Sequence, residues 1–467
     1  MIETRTDVAI IGGGIAGLTA AYRLARAGVD FRILESTHHW GGLIRTERVD
    51  GYVLDAGPDT LLGHRPEAIA LCRELGLGDR LVPASAAPHP TYVVHRGRLH
   101  SLPEGMTLGV PARLAPLATT RLFTWPGKLR MAMEVFQPAR RDGADESIGS
   151  FFRRRLGREA LERIGDPLLA GIHAGDAERL SLRSTFPTLL DMETRHGSLI
   201  RAMWSGRSEA GLRRHLFFTL PGGLGEMVGT LLDALPPGSF ETGVRIESIG
   251  RAEETFRVHA EGRCLSARAL VLATPLWETA RLLRLAAPHA ATSIDSMAFA
   301  SSSTVLLGFR REDVAHPLDA HGLVIPRGEG LRTRACTFSS SKYAGRAPEG
   351  FVLLKGYLGG LRGAEAMGLA DARMAAVFED EMRPLLGLRR APVLARVYRW
   401  PGASPQMEVG HAARRTAFET AVAEVPGLTV IGAGLRGSGI PNSIADGAEA
   451  ARQAVERLAA APALATA

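Results

Sequence analysis

Several apolar runs along this chain stop abruptly at glycine. Asp7-Val-Ala-Ile-Ile11 is apolar at consecutive positions, the pattern of a strand buried on both faces. It ends in Gly12-Gly-Gly14-Ile-Ala-Gly17, and Leu18-Thr-Ala-Ala-Tyr-Arg-Leu-Ala25 continues with good helix formers. Phe31-Arg-Ile-Leu34 reads as a second strand, closed by Glu35. Ala269-Leu-Val-Leu-Ala-Thr-Pro275 and Leu428-Thr-Val-Ile-Gly432-Ala-Gly434 are strands of the same kind. The latter enters Gly437-Ser-Gly439-Ile-Pro441 and an alanine-rich helix, Ala445 to Leu458. Ser303 to Phe309, His321 to Pro326 and Phe351 to Leu358 also have strand character. Residues 99–216 read mainly helical, with Asp145-Glu-Ser-Ile148 as a start signal before a basic helix.

The first unit, strand–GxGxxG–helix, suits a dinucleotide pyrophosphate. Gly12 permits the tight turn, Gly14 lets backbone approach phosphate, and Gly17 lets helix and strand pack closely. The helix N-terminus then faces the anion. Glu35 is placed to accept hydrogen bonds from a ribose hydroxyl. A glycine-rich turn without a ligand is the alternative. The pieces at 1–61, 217–275 and 398–467 must meet to build one sheet, so the stretches between them are insertions. The expected fold is α/β: a Rossmann-like domain in those three parts, an inserted α+β substrate domain (62–98 and 276–397) and a mainly helical domain (99–216).

The chain has 467 residues, 45% apolar and 22% charged, as expected of a soluble globular protein. No run approaches the roughly 18 apolar residues of a membrane span. The chain opens on a strand without a signal pattern, so a cytoplasmic location is expected. Cys72, Cys264 and Cys336 are scattered, which points to reduced thiols; with dispersed histidines, no metal site is expected. The formal charge is +7, and residues 99–216 hold 18 Lys and Arg against 13 Asp and Glu. Of 56 basic residues only Lys128, Lys342 and Lys355 are lysine. No recognition motif accompanies the charge, so no nucleic-acid partner is expected. The helical segment sets Met106, Leu108, Val110, Leu114, Leu117, Leu122, Phe123, Trp125, Met131, Met133, Val135 and Phe136 among arginines. These read either as a surface touching anionic lipid at the inner face of the cell membrane or as the core stripe of an ordinary helical domain. Residues after Leu458 read as an alanine-rich tail.

Gly41-Gly42-Leu-Ile-Arg45 followed by Gly57-Pro-Asp-Thr60 resembles the FAD-dependent amine oxidase superfamily. A narrower resemblance rests on Leu99-His-Ser-Leu-Pro103, Gly149 to Gly157, Pro167-Leu-Leu-Ala-Gly-Ile-His-Ala-Gly-Asp176, Leu180 to Pro187, Leu220-Pro-Gly-Gly-Leu224, Arg399-Trp400 with Pro405-Gln406, and Gly439-Ile-Pro-Asn442. These blocks span the chain. They are similar to the oxygen-dependent protoporphyrinogen oxidase and coproporphyrinogen III oxidase family of bacterial type. The resemblance implies an FAD domain, a substrate domain and a helical membrane-binding domain, as a monomer or homodimer. The implied activity is FAD-dependent oxidation of CH–CH bonds with dioxygen as acceptor in heme biosynthesis: six electrons are removed from protoporphyrinogen IX or coproporphyrinogen III and hydrogen peroxide is released. Both porphyrinogens stay open, and so does peripheral membrane contact.

On this resemblance FAD is held by Gly12, Gly13, Gly14, Ile15, Ala16 and Gly17, by Glu35 and Ser36, by Gly42 and Arg45, and by Gly57, Pro58, Asp59 and Thr60. Val244 meets the adenine and Trp400 lies beside the flavin. Gly434, Ser438, Gly439 and Ile440 bring a second helix N-terminus to the flavin pyrimidine. Asp59 and Gly171 are the catalytic candidates: an ionised carboxylate that attracts a pyrrole proton, and a backbone carbonyl that accepts a pyrrole N–H. A turn-capping aspartate and a plain turn are their alternatives. Val324, Thr337 and Tyr357 line the substrate pocket, or else belong to the core. Thr91 stands where eukaryotic members carry a propionate-pairing arginine. Threonine cannot make that bidentate pair, and Arg65 or another arginine is expected to compensate. The other functions kept open are a flavin amine oxidase, with Lys355 near the flavin, a carotenoid desaturase, and a non-catalytic porphyrin carrier.

Overall fold

The computed structural model describes residues 2–85, 91–205, 217–252, 254–361 and 363–460. The alanine-rich residues 461–467, His89 and Pro90 before Thr91, and the end of the helical segment at 206–216 lie outside them.

One seven-stranded sheet gathers pieces from across the chain. Its order is Phe240–Thr242, Phe31–Glu35, Ile2–Ile11, Arg263–Leu272, Thr255–Ala260 and Ser248–Ala252, with Leu428–Val430 also paired to Arg263–Leu272. The first four strands and Leu428–Val430 are parallel. They end on one edge, and the turns at Gly12, Ser36, Gly243, Ala273 and Gly432 line up there, the edge where open α/β sheets bind ligands. Val8, Ala9, Ile10 and Ile11 are buried because helices cover one face and a second apolar cluster the other. The Ile15–Arg26 and Ile440–Ala460 helices cross on the first face. At the crossing, a Cβ on Gly447 would stand 2.3 Å from the Ala16 carbonyl oxygen, so only glycine allows the approach.

A second seven-stranded sheet runs Leu394–Pro405, Phe299–Arg310, Phe351–Gly359, Ala335–Phe338, Gly322–Val324, Thr91–His95 and Arg98–Ser101. One face buries Val305, Leu307, Leu354 and Leu358 with Phe378 and Met382 of the Asp371–Leu386 helix. On the opposite face Leu306, Leu353 and Tyr398 pack on Tyr52 and Leu54 of the Thr46–Val49/Tyr52–Asp55 hairpin. Two expected boundaries fall inside this sheet. The Thr91–His95 strand pairs with Arg98–Ser101, so the break at 98/99 cuts a hairpin. Residues 398–405 pair with Phe299–Arg310 and belong here, not to the nucleotide sheet. Continuous ladder pairing carries the sheet across both expected breaks.

The helical segment closes over its own core of Phe151, Phe152, Leu156, Ile164, Leu189 and Ile200. Within the expected Asp145-Glu-Ser-Ile148 start signal, Ser147 caps the Ile148–Arg155 helix, accepting from the Ser150 amide at 3.0 Å. An ionic knot lies inside: Arg155 and Glu134 are fully buried and paired. Glu134 also accepts from Ser198 Oγ (2.6 Å) and from the amides of Leu199 (2.9 Å) and Ile200 (3.2 Å), satisfying the start of the Leu199–Trp204 helix. Arg155 reaches the carbonyls of Gln137 and Gly197. Removing one partner of such a pair strands the other charge, at a cost of about 3–5 kcal/mol. Glu134→Ala should therefore lower stability to denaturant by about that amount; a loss below about 1 kcal/mol would show that the knot is dispensable.

Candidate active site

The glycines of the first turn are fixed by contact as well as conformation. Gly12 has φ +110°, and a Cβ there would lie 2.6 Å from the Ala273 carbonyl oxygen. A Cβ on Gly17 would lie 2.0 Å from the Gly12 carbonyl oxygen, and one on Gly13 would enter the Trp40 ring. Gly14 differs: an added Cβ would meet only Gly42 Cα, at 4.0 Å. Gly14 and Gly42 thus form a bare backbone cradle at the N-terminus of the Ile15–Arg26 helix, whose first residues Ile15 and Ala16 are buried. Glu35 closes it. Its carboxylate accepts from the Gly13 amide (2.7 Å), the Thr37 amide (2.8 Å) and Ser36 Oγ (3.3 Å), and its carbonyl accepts from the Val244 amide (2.9 Å). At the far end Gly432, Gly434 and Gly437 all have positive φ, and the Ile440–Ala460 helix begins just past Ser438 and Gly439. A dinucleotide fits this donor set: bare amides and a helix start for phosphates, a carboxylate for ribose, and a second helix start for the flavin ring.

The remaining candidates converge on the turn after the hairpin. A Cβ on Gly57 would lie 1.8 Å from the Leu43 carbonyl oxygen. Pro58 follows, then Asp59. Asp59 accepts from Lys342 Nζ (3.1 Å) and Thr60 Oγ1 (2.6 Å), and its second oxygen lies 3.7 Å from Lys355 Nζ. Lys355 also donates to the Gly57 carbonyl. Burial opposes ionisation of Asp59, but the two lysines outweigh it and hold the carboxyl below its usual range. The same burial pushes the Lys355 ammonium down from the usual lysine range, with Asp59 opposing. Held as a carboxylate between them, Asp59 anchors both lysines here. Lys355, fastened to Gly57 and Asp59, is not presented as a free amine. Thr60 Oγ1 continues to Tyr343 Oη (2.9 Å). Beside it, Arg346 pairs with Asp55 (2.9 Å) and donates to Thr219 Oγ1 (2.6 Å).

Trp400 Nε1 donates to Thr304 Oγ1 (3.3 Å), which donates to the Ala56 carbonyl (2.7 Å), so the tryptophan stands at this turn. Arg45 stacks on Tyr398, 5.2 Å from the ring centre. Tyr357 and Thr337 share a hydroxyl contact at 3.2 Å. Thr91 and Thr337 both face Gly322 across adjacent strands. Val324 is buried in the apolar cluster of the helical segment. Arg65 is not in this group: it donates to Asn442 Oδ1 (2.9 Å) and Glu67 (3.3 Å) at the start of the last helix.

Gly171 follows a ten-residue π-helix, Leu161–Ala170, that contains Pro167. Such wide turns collect at functional sites. Its carbonyl accepts from the Ala174 amide (3.0 Å) and keeps a second lone pair. The loop after it is gripped from three sides. Arg334 and Arg327 donate to the Gly175 carbonyl (3.2 and 3.3 Å), and Arg327 pairs with Asp166 (2.7 Å). Gln406 donates to the His173 carbonyl (3.0 Å), and His173 Nδ1 lies 3.5 Å from Ser438 Oγ. Burial pushes His173 down from 6.5 to about 4, so it is neutral near pH 7. Arg327, Arg334, Tyr343 and Arg346 carried no motif, whereas Gln406 lay in the Pro405-Gln406 block. Lys342 did carry a signal, its rarity among the basic residues.

This geometry defines a flavin dinucleotide-binding oxidoreductase. The sequence profile of the flavin containing amine oxidoreductases matches residues 15–455, and the chain belongs to that family. FAD is its cofactor. The chain is similar to a coproporphyrinogen III oxidase of Propionibacterium freudenreichii subsp. freudenreichii (33% identity, covering 97% of this chain and 92% of the relative). It is also similar to a coproporphyrinogen III oxidase of Bacillus subtilis strain 168 (32%, covering 98% and 100%). A crystal structure from Exiguobacterium sp. 255-15, provisionally named a protoporphyrinogen oxidase, superimposes with TM-score 0.86 at 26% identity, covering 97% of this chain and 99% of that one.

Two outcomes follow. Gly17→Ala forces a Cβ onto the Gly12 carbonyl; FAD should bind at least about tenfold more weakly, a loss of about 1.4 kcal/mol or more. Undiminished 450 nm absorbance after dialysis would refute the close-packing account. For His173, the unfolded chain takes up a proton between about pH 6.5 and 4 that the folded chain refuses, so stability falls as pH drops through that window. Melting temperatures at pH 7 and pH 5 should differ less in His173→Gln than in the wild type; an equal difference in both would contradict it.

Proposed function

We propose that the chain is an FAD-dependent porphyrinogen oxidase whose substrate is coproporphyrinogen III, with protoporphyrinogen IX as the competing substrate. The supporting observation is that relatives named coproporphyrinogen III oxidase align with 97–98% of the chain, while its sheet leaves a half-buried strip, Thr91, Ala335, Thr337 and Tyr357, between two apolar clusters. A porphyrinogen becomes a porphyrin by losing six electrons in three two-electron steps. Bound FAD supplies the acceptor for hydride from a meso carbon, and dioxygen, reduced to hydrogen peroxide, is the proposed terminal acceptor. The chain's task is to hold and orient the macrocycle. The Gly171 carbonyl offers a neutral acceptor to pyrrole N–H groups, and neutral His173 adds no repelling charge. Tyr357 offers a ring face, its hydroxyl kept protonated by burial and by the nearby Asp59 charge.

Trp125, Leu129, Met133 and Phe136 are 72%, 64%, 45% and 79% exposed. Their spacing sets them on one side of the Trp125–Ala132 helix and the turn that continues it. Such a stripe on a monomer marks an interaction surface. The reading adopted is peripheral contact with lipid, since no helix among the described residues is long and apolar enough to cross a membrane.

Anaerobic mixing with coproporphyrinogen III should bleach the flavin, and air should then restore it with porphyrin fluorescence, faster than with protoporphyrinogen IX. Absence of bleaching by either would end the porphyrinogen assignment. In sedimentation with anionic vesicles, Trp125→Ser with Phe136→Ser should reduce the pelleted fraction several-fold; unchanged pelleting would exclude this stripe as the contact.

A further inference from the structure

We propose that Lys342, backed by Lys355 and Asp59, binds a carboxylate of the substrate. The inference rests on the porphyrinogen reading and deepens it by naming the group that recognises the acidic side chains.

Arginine supplies all but three of the 56 basic residues. Two of those three lysines meet at one carboxylate. Asp59 holds Lys342 on one oxygen (3.1 Å) and lies 3.7 Å from Lys355 on the other. The neighbouring Asp55 is already paired with Arg346 (2.9 Å). Three cations thus face two carboxylates, a surplus of one positive charge in a covered site. Such a surplus is costly unless an anion arrives to meet it. The two lysines are not equivalent. Lys355 is 1% exposed and is engaged by the Gly57 carbonyl and Asp59. Lys342 is 14% exposed, so the surplus charge faces outward through it. Two of its three N–H donors go to Asp59 and Thr60 Oγ1 (2.8 Å), leaving the third for an incoming oxygen.

The surroundings suit an acidic macrocycle. Lys342 Nζ lies 5.2 Å from the Tyr343 ring centre and 5.7 Å from that of Phe217. Thr91, Gly322, Thr337 and Lys355 stand in one row across four adjacent strands. At about 4.8 Å per strand the row spans about 14 Å. Its Thr91 end offers a hydroxyl and no cation; its other end carries the lysine pair. A compact ammonium can share Asp59 and Thr60 and still offer a donor, whereas a planar guanidinium presents its donors in a fixed fork.

The test uses FAD-loaded enzyme and two stable probes: coproporphyrin III, with four carboxylates, and its uncharged tetramethyl ester. Binding is titrated by porphyrin fluorescence. Lys342→Met should weaken coproporphyrin III binding at least about tenfold, the scale of a charge-assisted hydrogen bond, and leave the ester within twofold. Lys342→Arg, which keeps the charge but presents its donors in a fixed fork, should recover only part of the loss, with flavin absorbance reporting an intact fold in each variant. Unchanged coproporphyrin III binding by Lys342→Met, or equal loss of both probes, would overturn the assignment while leaving the oxidase reading standing. If the wild type neither binds coproporphyrin III nor oxidises either porphyrinogen, the substrate reading fails and the lysine site with it.

Discussion

Six residues, Asp55 to Thr60, tie the hairpin and the candidate site to the second sheet. Asp55 takes Thr46 Oγ1 and the Leu224 amide and pairs with Arg346. Ala56 receives the Thr304 hydroxyl and gives its amide to the Arg45 carbonyl. Gly57 admits the Leu43 carbonyl and receives Lys355. Asp59 and Thr60 gather Lys342 and Tyr343. Most of these partners are distant in sequence, and they come from the insertion at 276–397 as well as from the nucleotide-binding part. In a buried polar network each unpaired member forfeits its hydration. Its members therefore constrain one another, and the turn has little freedom to move.

The loop after Gly171 plays the same part on the other side. It hangs from a π-helix of the helical segment, yet its carbonyls are held by Arg327 and Arg334, from the connection between two strands of the second sheet, and by Gln406 at the end of that sheet's outer strand. Ala174 carries a positive φ, 49°, which a non-glycine residue adopts only where its surroundings insist. A loop gripped from several elements can hold a carbonyl at a defined place without any side chain of its own near the chemistry.

Charge is distributed with economy of position. Arginines elsewhere make exposed pairs that contribute little or, as with Arg155, close a buried knot. The lysine pair at Asp59 is different in kind, because it leaves positive charge over. Asp59 shows how context changes a residue's meaning. The family resemblance made it a catalytic candidate, with a turn-capping aspartate as the alternative. Between two ammonium groups it is a fixed anion.

Local chemistry was legible in the sequence where it depends on neighbours along the chain. The strand, the glycine turn with its helix, the acid at Glu35 and the strand entering Gly432 follow from apolar runs and from the steric needs of glycine. So did the α/β class and the family, whose blocks run end to end. The domain edges at 98/99 and 397/398 were misplaced: the first cuts a hairpin, and the second cuts a strand whose ladder partner, Phe299–Arg310, is distant in sequence. Lys342, Arg346, Arg327 and Arg334 gained their roles only when folding brought them to Asp59, Asp55 and Gly175. Arg65 was drawn away to Asn442 by the same process. Turn geometry is set by residues a few positions apart, whereas ion pairing and the ionisation of a buried carboxyl depend on which charges the fold places within a few ångströms. Tertiary structure alone decided that.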